Sequence, residues 1–170
     1  MRRMMTVIAM LALGVLLGGC FASQQPLFEP GSAVPALGDG GRYATFEQVD
    51  GKDKQAEAIT VKKRPDGAYD FINMQGASNA VSFHPIAGGL HVAQVKLDGD
   101  SGYGYVLFRI SGNEALVVPA ECDKQEQARM QALGVEIRGR YECRIDQITD
   151  AVAFFSSLKL SEPVSKMVRE

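Results

Sequence analysis

AITVKKRPDGAYDFINM, residues 58–74, sets two alternating runs on either side of Pro65-Asp66-Gly67. Proline pre-sets the first turn angle and glycine accepts the positive φ that closes the turn, so the stretch reads as a β-hairpin. Pairing outward from the turn puts Lys63 opposite Tyr69, Lys62 opposite Asp70 and Val61 opposite Phe71. A Lys62–Asp70 contact across the strands contributes roughly 0.2–1 kcal/mol, which tunes register more than stability.

The same punctuation recurs on both sides. Tyr43 to Val49 reads as a strand before the hairpin, and Ala80 to His84 with Leu90 to Leu97 reads as the next hairpin, around Pro85 to Gly89. Tyr103 to Ile110 and Glu114 to Val118 follow, joined by Ser111-Gly112-Asn113, which suits a type II′ turn. From Ala120 to Leu133 alternation gives way to helix formers ending at Gly134. Val135 to Asp146 then alternates apolar with charged residues and reads as one long strand with a solvated face, as antiparallel sheets allow. Ile148, Ala151, Val152, Phe155 and Leu158 follow at helical spacing, after a cap at Asp146. The expected class is α+β: a curled antiparallel meander of seven to eight strands, half-barrel or barrel-like, with two helices in the C-terminal half. Closure depends on register and shear, which spacing alone leaves open.

The amino-terminal segment is of another kind. Arg2 and Arg3 precede an apolar run of 14 residues, Met4 to Leu17, which ends in Gly18 and Gly19; this is the order of a secretory signal. A membrane span needs about 20 apolar residues, so the run is short for a permanent helix. Leu17-Gly18-Gly19-Cys20 resembles the lipobox of bacterial lipoproteins: an aliphatic residue, two small ones and a cysteine. That resemblance implies a signal peptide over residues 1–19, cleavage before Cys20, and thioether-linked diacylglycerol on Cys20 with acylation of the new amino terminus. It further implies a cell-envelope address, and outer-membrane sorting in a Gram-negative cell, because Phe21 stands where aspartate would favour inner-membrane retention. The alternative is a plain secretory peptide or an uncleaved anchor. Residues 20–41, with Pro26, Pro30, Pro35 and four glycines, read as the lipidated cysteine and a flexible tether. Residues 42–170 then form a single β-rich domain.

Loss of the leader takes the formal charge from −2 to −4, since it carries two arginines and no acid. A mildly acidic chain without a basic run is a poor nucleic-acid binder and offers no polybasic patch to anionic lipid. In an exported protein Cys122 and Cys143 read as a disulfide, with two buried thiols as the alternative. His84 and His91 flank the Pro85–Gly89 loop and would face one another in a symmetric hairpin, but no third metal ligand stands near them. Asp98 and Asp100 stop short of a calcium loop, and no serine elbow occurs. Tyr103, Tyr105 and Arg109 fall on one side of their strand. They form either a partner-binding stripe or a second buried face.

The sequence therefore reads as a lipid-anchored envelope protein with a non-catalytic binding or structural domain, no metal and no cofactor. Its partners are the membrane through the anchor and an envelope protein or lipid. A carrier of small apolar ligands inside the curled sheet, and a lysozyme-inhibitor-like protein, which shares only the lipidated, disulfide-bearing barrel plan, stay open beside it.

Overall fold

The computed structural model describes residues 21–97 and 101–170. Residues 1–20, with Cys20, and residues 98–100, with Asp98 and Asp100, lie outside the described residues. Eleven strands form one sheet: β1 Phe21–Ser23, β2 Gly40–Val49, β3 Lys52–Lys63, β4 Tyr69–Ile72, β5 Ser78–Ile86, β6 Leu90–Lys96, β7 Tyr103–Ser111, β8 Glu114–Val117, β9 Val135–Gly139, β10 Glu142–Ile145 and β11 Ser165–Arg169. Among the described residues two short helices, α1 Gln127–Ala132 and α2 Ala151–Ser156, complete it, so the class is largely β.

Eight of the strands close into a barrel in the order β6-β5-β4-β3-β2-β11-β8-β7, with β7 returning to β6. The Pro65-Asp66-Gly67 hairpin forms with the register read from its sequence: Lys63 pairs with Tyr69, Lys62 with Asp70 and Val61 with Phe71. Gly67 has φ 82. Asp70 nevertheless meets Arg64 in the turn, Nη1 to Oδ1 at 3.3 Å.

Period-2 alternation points one face of every barrel strand inward. Tyr43, Ile59, Tyr69, Phe71, Phe83, Phe108 and Met167 meet there with smaller aliphatics, none of the cluster more than 6% exposed. A void that admitted water would leave accessible surface on the side chains lining it, so the barrel interior is a packed core. Phe83 holds it together, edge-on to Tyr69 at 5.9 Å and to Phe108 at 5.5 Å.

A second core lies outside the barrel, where Ile86, Leu90, Val92, Tyr105 and Leu107 on β5–β7 are covered by the chain from Val118 to Leu158 and by the N-terminal segment. This overturns the flexible tether. Phe21 is 0% exposed, and β1 pairs antiparallel with β7 and parallel with β10, Phe21 standing between Tyr105 and Cys143. Phe28 and Leu37 are buried as well. Burying a phenylalanine contributes about 2–3 kcal/mol, which outweighs the proline and glycine content that reads as a linker. Gly102 makes the junction possible, because at φ +85 a Cβ there would sit 2.1 Å from the Ser23 carbonyl oxygen.

Three more expectations change. The alternating stretch from Val135 is a hairpin, β9 and β10, broken at Arg140-Tyr141 with a register shift beside Glu142. Turn and strand share one alternation because both residues of the turn are exposed. The first helix is shorter than Ala120–Leu133: Cys122–Lys124 is a 3-10 turn and α1 starts at Gln127. The second is capped by Asp150, whose carboxylate accepts the Ala153 N–H at 2.9 Å, and not by Asp146.

Candidate functional site

The β7 row is divided by the second core. Tyr105 is wholly buried, its hydroxyl 2.7 Å from Ser23 Oγ and accepting the Leu27 N–H at 3.0 Å. Burial raises its pKa, opposed by the Ser23 and Leu27 hydrogen bonds. Gln94 works beside it, its Oε1 accepting the N–H groups of Leu27 and Phe28. Tyr105 thus pins the N-terminal segment and is out of reach of a partner. Arg109 is exposed, opposite Leu90 and Leu116 and about 20 Å along the strand from Tyr103. No continuous stripe exists. Tyr103 borders an opening of about 250 Å³ between Pro26–Ala33, the β3–β4 turn and β5–β6, with Arg64, Ser82 and Lys96 in its lining.

His84 and His91 do not face one another. Pro85 pairs with His91 and His84 with Val92, so the two rings lie on opposite faces. His84 is 1% exposed, stacked on Phe28 at 4.4 Å, with Nδ1 2.9 Å from Ser32 Oγ and Nε2 2.9 Å from Ser82 Oγ. Ser32 already donates to the Glu29 carbonyl, so its single proton is used and the Nδ1–H donates to it while Ser82 donates to Nε2. A serine on a histidine is the pairing of acyl transfer, but burial lowers this ring to about 4, against the Ser32 hydrogen bond. A base that weak, beneath a phenylalanine, does little proton transfer at neutral pH. The trio is a strut between β5 and the N-terminal segment.

A groove of about 950 Å³ lies between α1 and α2. Ala132, Leu133, Ile148, Ala153 and Phe154 give it an apolar lining; Arg129, Asp146 and Asp150 stand among them. Concave, mostly apolar surface with a few polar groups is the usual form of a binding site.

Cys122 and Cys143 stand at disulfide distance, S–S 2.22 Å and Cα–Cα 5.8 Å. The bridge joins the 3-10 turn to β10 inside the second core. Next to it Glu121, itself buried, holds three partners: Arg140 through Nε, Lys124 Nζ at 2.6 Å and Ser161 Oγ at 2.8 Å. The Arg140, Lys124 and Ser161 hydrogen bonds pull its carboxyl down to about 2, against the opposing effect of burial. Its partners lie up to 40 residues away, so nothing in the sequence around Glu121 marks it. Among the described residues no three of His, Cys, Asp and Glu group as a metal site.

The chain matches no known protein family, no curated protein and no solved structure.

Proposed function

We propose that this is a lipid-anchored envelope protein whose barrel is a non-catalytic binding or structural domain that works through its outer surface. The observation that carries the reading is Leu17-Gly18-Gly19-Cys20 placed directly after a basic start and a short apolar run. The Cys122–Cys143 pair supports it, because disulfides persist in the oxidising compartments to which such leaders lead. Acyl chains on one cysteine supply the affinity: a single chain binds marginally and two or more hold stably.

A closed β-barrel is also the architecture of small apolar-ligand carriers, and that fold supports the second reading. A carrier needs a cavity of several hundred Å³ (roughly 300–1,000 Å³). Here the barrel interior is filled by its own side chains, which favours binding on the outside, and the groove between α1 and α2 is the surface with the size and lining for a partner.

The test is Cys20→Ser in the native host with a clickable palmitate analogue. The anchored reading expects the wild type to take up label and fractionate with membranes, and the variant to accumulate as unlabelled, unprocessed precursor. Equal processing and no label in either protein would overturn it.

A further inference from the structure

A lipoprotein with a 20-residue tether holds its domain tens of ångströms from the bilayer, whereas this chain has no such spacer. Phe21 is buried between Tyr105 and Cys143, and consecutive Cα atoms are 3.8 Å apart. An acylated Cys20 is therefore one residue from the wall of the barrel.

The surface at that point follows from register. Because β1 runs parallel to β10, the Arg140-Tyr141 turn, which leads into β10, lies at the end where the chain enters β1. On the other flank the Val118 N–H donates to the Leu107 carbonyl, two residues along β7 from the partner of Phe21. The chain then crosses to the β9–β10 turn, where the Cys122 N–H donates to the Arg140 carbonyl at 2.7 Å, and Ser161 N–H donates to the Pro119 carbonyl beside it. Glu121, holding Arg140 and Ser161 together, ties both flanks into one surface. Three large apolar residues are exposed on these segments: Tyr141 at 52%, Leu160 at 37% and Val164 at 47%. The Arg140 guanidinium lies 5.0 Å from the centroid of the Tyr141 ring. An aromatic ring beside a cation with a long apolar stem is the composition that settles at the headgroup layer.

We infer that the barrel seats flush on the bilayer through this surface, Tyr141 entering the headgroup layer with Leu160 and Val164 beside it. The inference rests on the lipid-anchored reading above. It makes the bilayer the occupant because the lipids begin one residue from the surface.

The chain contains no tryptophan, so a single introduced one reports alone. The full chain with Tyr141→Trp, acylated in the cell and labelled with the palmitate analogue, is reconstituted in phosphatidylcholine vesicles with and without brominated acyl chains. A second protein carries Met74→Trp, 72% exposed in the β4–β5 turn, three strands from β7 in the barrel order and at the opposite end of the barrel from the β7–β8 turn, the side from which the chain enters β1. Flush seating expects most of the Tyr141→Trp emission to be lost to bromine and its maximum to shift blue, with the Met74→Trp emission unchanged. Labelled, vesicle-bound protein in which both tryptophans emit equally with and without bromine would overturn the seating and leave the anchor standing. Protein that carries no label and stays off the vesicles would overturn both, and the label tells the two failures apart.

Discussion

Acidification tests the second core through His84. In the folded protein the ring lies under Phe28 between two serine hydroxyls, and burial holds its pKa at about 4 where an unfolded histidine titrates near 6.5. The fold thus prefers the neutral ring. Its contribution is complete above pH 6.5, shrinks as pH falls from 6.5 to 4 while the unfolded chain takes up the proton first, and changes no further below that. Linkage gives a loss of about 2 kcal/mol between pH 7 and 5 and about 3 kcal/mol by pH 4. His91 is lowered by burial too and acts in the same sense, so the difference between wild type and His84→Gln isolates the ring. Glu121 acts lower, since its contribution is complete above the ordinary carboxylate range and is lost as pH falls toward about 2. The assay is urea unfolding of the oxidised protein followed by circular dichroism at pH 7, 6, 5 and 4. His84→Gln starts less stable at pH 7 but loses about 2 kcal/mol less than wild type on the way to pH 5. Parallel losses in both proteins would refute the buried neutral ring.

Other perturbations probe the junction between barrel and cover. Phe21→Ala destabilises the domain by about 3–5 kcal/mol in the same urea assay, where a residue in a tether would cost almost nothing. Gly102→Ala drives a methyl into the Ser23 carbonyl from a left-handed backbone; it costs more than about 1 kcal/mol and speeds hydrogen exchange of the β1 amides before those of β3. Reducing Cys122–Cys143, which closes a separation of 21 residues, lowers stability by about 3 kcal/mol, measured as a drop in the urea midpoint in dithiothreitol.

Strands bounded by strong turns were legible from local sequence. The Pro65-Asp66-Gly67 hairpin carries its register in the turn and its face in the alternation, and both appear as read. Closure was not legible, because it depends on β11, five residues with weak alternation that gain their place only by bonding β2 and β8. The segment from Phe21 to Gly41 conceals its place for a related reason. Its prolines and glycines look like a linker, but Phe21, Phe28 and Leu37 are spaced to reach pockets built by residues far along the chain. Within the candidate site the same division holds. The Cys122–Cys143 pairing follows from counting, whereas Glu121 depends on Arg140 and Ser161 meeting it in space, and Tyr105, on the outer face of the barrel, is buried because β1 covers it.

The position of β11 sets a condition on how the chain reaches this state. Tyr43 pairs with Arg169 across nearly the whole domain, and contacts of such separation make folding slow. A chain synthesised amino terminus first presents β2 to β8 long before β11. Until then it is an open sheet whose first and last strands each show a bare edge, the surface on which chains pair with one another. Whatever keeps growing chains apart must therefore shield this one until β11 is free to pair, and a protein shortened by β11 would keep both edges bare.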